Sequence, residues 1–281
     1  MRRTAAGQVA RLAAAYAFPT AFVLAPLSAF LIYSFWRVEN NQLVADFTLA
    51  NYIEIYQKEL YRTVFTGTLL LAAKVMAVSL LLGYPVAYFI WRRQGRLRYL
   101  LLLMSVLPLF MSYIIKLYAM RSILGLNGFL NKLLVALGLL DGPSMVFLFN
   151  QTAVLITMAV VYLPFAILPI FLSLERVPLA LTHASADLGG TAWQTFRYVT
   201  LPLSLPGTVI GGLFAFILAL GDFVTPQMVG GTTGFTYGKV VWSQFGMGFN
   251  WPLGAALGVV LLAAALLIIG LAGFIGRHSR V

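Results

Sequence analysis

Cysteine is absent from the 281 residues, and histidine occurs only twice, at His183 and His278. Disulfides and thiolate metal sites are therefore excluded, no metal site is expected, and nothing in the chain reports a redox compartment. There is no HExxH and no pair of carboxylates at catalytic spacing, so a membrane-embedded enzyme or assembly factor has no residues to stand on and no catalytic residue is assigned. The nearest approach to a phosphate-binding loop is GFTYGKV at 234–240. It has three rather than four residues between its glycines, and Val240 stands where Ser or Thr must hold Mg²⁺. No cofactor is expected, and the chain has no nucleotide-hydrolysing loop of its own.

Charge is scarce as well. Charged residues make up 10% of the chain and hydrophobic ones 61%, against roughly 25% charged in ordinary soluble domains, which excludes a soluble globular protein. A formal net charge of +11 raises the question of nucleic acid. The basic residues, however, sit in short clusters beside apolar runs rather than on one soluble face among aromatics. That is the mark of membrane topology, so the expected partner is the lipid bilayer and not nucleic acid.

What the chain does have is long apolar runs, several exceeding the ~20 residues a helix needs to cross a ~30 Å hydrocarbon core. Six spans are expected, at about Ala13–Trp36, Val64–Trp91, Tyr99–Met120, Met145–Leu174, Gly207–Phe223 and Pro252–Ile275. The first is too long for a cleaved signal and reads as an uncleaved anchor. Arg2, Arg3 and Arg11 precede it, Arg92, Arg93, Arg96 and Arg98 follow the second span, and Arg277, His278 and Arg280 end the chain. With both termini cytoplasmic, eleven of the nineteen Lys and Arg fall inside, six outside and two, Lys74 and Lys116, within spans. An all-α integral membrane protein follows, a single transmembrane domain over 1–281. Gly83 with Pro85, Pro108, and Pro164 with Pro169 should bend their spans. Thr48 and Asn51 signal a helix start in TLANYIEIY, which can lie on the membrane surface, and the glycine-rich stretch 224–251 is external or re-entrant.

The polar segment 175–206 stands apart. Pro178 suits a first helical turn, and Leu179, Leu181, Ala184 and Leu188 alternate with polar residues. Gly189 and Gly190 can adopt the left-handed conformation that ends a helix. Thr191 and Gln194 have the spacing of a capping box for a second helix that exposes Trp193, Phe196 and Tyr198. Residues alone leave two readings open, an amphipathic connector and a docking element.

This segment resembles the EAA loop of bacterial ABC importer permeases, whose pattern is EAAxxxG, nine residues, then IxLP. His183, Ala184, Ser185 and Gly189 occupy the first part, and Val199, Leu201 and Pro202 the last. The family's acidic first residue is His183 here, and its second alanine is Ser185. The runs FTLANY, GYPVAY, LPLF, YLPFAILP, VTLPLSLPG, GDFVTPQMVGG and NWPLGAAL further resemble the spermidine/putrescine subfamily. The resemblance implies the type I ABC importer permease architecture in a bacterial inner (cytoplasmic) membrane. It implies as partners cytoplasmic ABC ATPase subunits, a second permease subunit, identical or homologous, and an external or periplasmic solute-binding protein. The residues it assigns to ATPase coupling are His183, Ala184, Ser185, Asp187, Leu188, Gly189, Trp193 and Phe196. The solute implied is a polyamine, with an amino-acid-like, thiamine-like or ferric substrate as the alternative.

Within the spans, Asp222 is costly at membrane depth and hence a functional candidate. Beside Phe223 it could attract an organic polycation through charge and cation–π contact, or it could cap a helix end. Tyr162 and Phe165, near Pro164 and Pro169, are candidates for lining the solute path if the prolines free backbone at a cavity; packing kinks explain the prolines equally. Asn150 and Gln151 could bond across helices, and Asp141 suits a turn. Lys116 should snorkel, whereas Lys74 is deep enough to pair with a carboxylate in a complex. The spacings Gly207–Gly211 and Gly254–Gly258 permit close helix contact, as at a dimer face. A carrier or channel independent of ATP would need charged relays within its spans, of which there are few.

Overall fold

The computed structural model describes residues 5–40 and 42–278; Arg2, Arg3 and Arg280, on which part of the topology expectation rests, lie outside the described residues. In chain order the elements are α1 (Ala5–Tyr33), β1 (Arg37–Glu39), β2 (Gln42–Val44), α2 (Ala50–Gln57), α3 (Glu59–Arg92), α4 (Gly95–Val106), α5 (Tyr113–Leu124) and α6 (Phe129–Ala136). They continue as α7 (Gln151–Glu175), α8 (Leu179–Asp187), α9 (Ala192–Thr195), α10 (Leu201–Gly221), α11 (Val224–Val229), α12 (Tyr237–Phe245) and α13 (Trp251–His278). Among the described residues four helices are long and apolar enough to cross a membrane, and a bent pair would make a fifth; α1 adds a shorter apolar stretch, Pro19–Tyr33.

Two compact units are formed, one by Met1–Arg62 with Val240–Ala263 and the other by Thr63–Lys239 with Ala264–Val281. In the first, the all-α expectation meets a small exception. β1 and β2 make an antiparallel hairpin with Val38 opposite Leu43. Asn51, expected to start a helix, is instead buried, and its amide nitrogen donates to the carbonyls of Ser34 and Trp36, both at 2.8 Å. Those are carbonyls that the end of α1 leaves without helical partners, so Asn51 ties α2 to that end. The Thr48 hydroxyl accepts from the Ala50 amide at 3.1 Å, so that half of the start signal holds.

The second unit is built on α7 and α10. A Cβ on Gly207 would collide with the Pro169 carbonyl and the Ser173 side chain, and one on Gly211 would sit 2.8 Å from the Ala166 carbonyl oxygen. The small-residue spacing that suggested a dimer face is thus spent inside the chain, because only glycine lets the two backbones approach this closely. Gly254 likewise lies against Gln244 and Phe245 of its own unit, whereas the space around Gly258 is open. The lower ends of α3 and α7 share a buried cluster of Ala87, Ile90, Ile167, Ile170, Phe171 and Leu174.

The expected spans shift where local chemistry overrides hydropathy. Gly83 and Pro85 do not interrupt α3, and α7 runs through Pro164 and Pro169. Gly83 instead admits the side chains of Ala166 and Ile167 at contact distance. The third span is broken: a 3₁₀ turn at Leu107–Phe110, carrying Pro108, ends its first arm, and the chain then bends by 101° between Gly95–Phe110 and Tyr113–Ala136. Proline lacks the donor that would continue an α-helix. The fourth starts at Gln151 rather than Met145, because the Asn150 side chain caps it, accepting from the Ala153 amide at 2.9 Å. This capping is what Asn150 does in place of bonding across helices. The fifth starts earlier than Gly207. The helical run reaches from Ala192 to Gly221, a π turn at Phe196–Thr200 carrying it into Pro202.

Gly207→Ala should lower the melting temperature of the purified subunit, with a cost of about 1–3 kcal/mol for forcing extra volume into a closed contact. Gly67→Ala, which meets nothing within 4 Å, should not; equal melting shifts for the two would remove the close-packing explanation.

Candidate functional site: the loop after α7 and the Asp222 hub

The loop after α7 is a folded hairpin of two helices. Gly189 takes φ +79, a conformation that a side chain disfavours, and the chain reverses there. The Gly190 amide donates to the Ser185 carbonyl at 2.9 Å, and a Cβ on Gly190 would lie 2.7 Å from that oxygen. The capping box forms as its spacing requires: the Thr191 amide donates to Gln194 Oε1 at 2.7 Å and the Gln194 amide to Thr191 Oγ1 at 3.3 Å. Ser185, a departure from the family pattern, links the two helices through a 2.8 Å hydroxyl contact with Thr195, a bond that alanine could not make.

Phe196 differs from its expected exposure. It is half-buried, edge-on to Tyr84 and Tyr88 of α3 with ring centroids 5.8 and 5.5 Å apart, and stacked on Trp193 at 5.4 Å. A ring of this size gains more from those aromatic contacts than from water. It therefore acts as the root of the loop and leaves Trp193 (65% exposed), Tyr198 (72%) and Leu188 (89%) as the free apolar surface. Ala184, Ser185, Leu188 and Gly189 line one open cavity of about 660 Å³ with Tyr198 and Pro202. Asp187 is exposed, and His183 faces a different cavity, on the side toward α3.

The second constellation sits where α10 gives way to α11. Asp222 is buried. Its Oδ1 accepts from the amides of Val224 at 2.9 Å and Thr225 at 3.1 Å, and its Oδ2 from the hydroxyls of Tyr113 at 2.6 Å and Tyr162 at 2.8 Å. The Thr225 hydroxyl lies 2.7 Å from that of Tyr113. The Asp222 backbone carbonyl accepts from Thr236 Oγ1 at 3.3 Å. Both carboxylate oxygens are thus already in use, one capping α11 and the other joining α5 and α7. Of the two openings left for Asp222 by its sequence, the helix cap is the one whose bonds are present.

A model of the family described as binding-protein-dependent transport system inner membrane component matches residues 79–280. The chain belongs to this family. The spermidine/putrescine transport system permease protein PotB of Haemophilus influenzae is 34% identical over 251 residues, covering 88% of this chain and 87% of that protein. PotB of Escherichia coli is 34% identical over 215 residues, covering 76% and 78%. The E. coli inner membrane ABC transporter permease protein YdcU is 36% identical over 228 residues, covering 76% and 72%. Among solved structures, a chain of a bacterial alginate ABC transporter with its alginate-bound periplasmic protein superposes with a TM-score of 0.76 at 18% identity, covering 98% of this chain and 95% of that one. A chain of the inward-facing methionine ABC transporter MetNI gives 0.60 at 19%, covering 80% and 100%. The chain is a permease subunit of an ABC importer, with the fold of that class, and a multi-pass protein of the inner membrane.

In this permease the four candidates proposed for the solute path sit on α7 and at the end of α10. Tyr162 meets Asp222 directly, whereas Phe165 is half-buried with its ring 6.4 Å from that of Phe214. Phe223 is half-buried beside Asp222 in sequence. Sequence reasoning missed Tyr113, Thr225 and Thr236. The cap itself carried a readable signal, since Asp is a preferred residue at a helix start. Tyr113 carried none, because only the 101° bend before α5 brings it to Asp222.

Asp222→Asn should lower the melting temperature and transport together, since an amide cannot accept all four bonds and hydrogen bonds to a charged group are worth about 1.5–3 kcal/mol. Lost transport with an unchanged melting curve would instead mark Asp222 as a group that meets the solute.

Proposed function

We propose that this subunit forms half of a pathway importing a polyamine-like organic cation, and that the loop 175–206 couples it to separate ATPases. The observation that carries the coupling reading is the loop's construction. A capping box, the Gly189 turn and the Phe196 root hold Trp193, Tyr198 and Leu188 out as an apolar surface. Exposed aromatics on a rigid frame are what a docking partner buries. His183, Ala184, Ser185 and Asp187 belong to the same element and would sit at or beside that contact. ATP hydrolysis then resides in cytoplasmic ABC ATPase subunits, and this chain is non-catalytic. Closure of the ATPases moves the loop, and through Phe196 and Tyr84 the motion reaches α3 and α10 as a shift in access from one side to the other.

The remaining assembly is a second permease, identical or homologous, and a solute-binding protein outside. The topology is six spans with both termini cytoplasmic in a bacterial membrane, one permease domain over 1–281. The second permease is supported by Lys74, which is exposed in the middle of α3 on the same face as Leu70, Ala77 and Leu81. A lysine turned toward hydrocarbon is costly, so another chain or the aqueous path covers that face. The polyamine reading rests on the two PotB relatives and on GDFVTP. The alternative is an amino-acid-like, thiamine-like or ferric solute. Uptake of spermidine or putrescine by the reconstituted system, set against these other solutes, decides among them, and uptake that persists without ATP would indicate a carrier.

Gly189→Pro should insert into the membrane normally and fail to co-purify with the ATPase, because proline fixes φ near −65° where the loop needs φ +79. Normal transport in this variant would contradict the coupling role. A photoreactive residue at Leu70 or Leu81 should cross-link to the second permease in the assembled importer; capture of lipid alone would overturn that placement of the α3 face.

A further inference from the structure

Behind the coupling loop lies a second cavity, of about 550 Å³, bounded by the end of α3, the start of α4, the end of α7 and the inner side of α8 and α9. Its wall carries three guanidinium groups, Arg92, Arg93 and Arg98, together with His183 and Trp91, and Glu175 is its one carboxylate. Glu175 is engaged by Arg98 through Nη2 at 2.9 Å. The Nε of Arg98 is buried and has no hydrogen-bond partner among the described residues. Arg92 and Arg93 meet no carboxylate among the described residues: one reaches the Tyr88 hydroxyl at 3.2 Å, the other lies 4.2 Å from the Phe89 ring centroid. The cavity therefore holds a surplus of positive charge, exposed at Arg92 and Arg93, and one unused buried donor on Arg98, an arrangement that an anion with several acceptor oxygens would satisfy.

We propose that this cavity binds a phosphate group, presented by the headgroup of an anionic phospholipid, and that the bound headgroup braces α8 against α3 and α4. A phosphate offers several acceptor oxygens at once, which suits guanidinium forks better than a single carboxylate does. The source follows from position: Trp91 and the four arginines from Arg92 to Arg98 close a span, the depth at which aromatic side chains meet headgroups and basic clusters attract anionic lipid. His183, standing where the family pattern has an acid, removes a negative charge that would oppose such a ligand. The placement at a membrane surface rests on the topology proposed above; the phosphate chemistry does not.

The test uses the full-length permease purified in a neutral detergent free of phosphate, without ATPase or solute, so that failure of the coupling or polyamine reading leaves the readout unmoved. Phosphatidylglycerol, phosphatidylcholine and inorganic phosphate are added separately, with retention followed by native mass spectrometry and stability by thermal melting. One tightly held phosphatidylglycerol, with phosphatidylcholine displaced, is the expected result. A melting shift with inorganic phosphate but no lipid retention assigns the same site to free phosphate. Arg92→Gln with Arg93→Gln should weaken retention by about tenfold or more, as loss of charge-assisted bonds does, and the paired Lys variants should restore most of it. Glu175→Gln should tighten retention, because it removes the opposing charge. Equal retention by wild type and the double Gln variant, no response to either phosphate source, or weakening in Glu175→Gln would overturn the proposal.

Discussion

The carboxylate of Asp222 is the point on which the core of this permease turns. A membrane-embedded helix can be broken only if the freed backbone groups find partners within the protein, and the chain breaks twice near this residue, before α5 and between α10 and α11. Asp222 satisfies the second break by capping α11 and fixes the first by accepting from Tyr113, while Tyr162 brings α7 to the same oxygen. One side chain thus ties the starts of α5 and α11 to the middle of α7, and the Thr236 contact to its carbonyl adds the start of α12. The four bonds to that side chain offset, inside the chain, the cost of a carboxylate in a low-dielectric region.

From that hub the long α7–α10 contact runs toward the arginine-bearing end. Gly207 and Gly211 let the two helices touch along their backbones, and the buried Ile170, Phe171 and Leu174 extend the same packing to α3. The loop is rooted on this rigid stack. Phe196 joins it to Tyr84 and Tyr88, and the Tyr84 hydroxyl lies 2.7 Å from Ser204 Oγ in α10. A displacement of α8 has two side-chain routes into the spans, because packed elements of this kind move as units rather than deform.

The two departures from the family pattern have separate physical accounts. Ser185 adds a hydroxyl bond to Thr195 within the hairpin. His183 lines the arginine cavity rather than the open groove, so its side chain stands on the inner side of the loop.

The membrane class, the capping box and the reversal at Gly189 were legible in the chain because each depends on neighbours in sequence: apolar run length, a three-residue spacing, a glycine where φ is positive. The family was legible for the same reason, since its motif fixes residues within one loop. Tertiary structure alone decided which prolines break a helix, whether a small-residue face serves a partner or an internal neighbour, and what Asp222 and Phe196 touch. Those outcomes depend on contacts between residues far apart in the chain, such as Tyr113 and Asp222, 109 positions apart, and hydropathy or local spacing carries no record of which distant group will be close enough to form a bond.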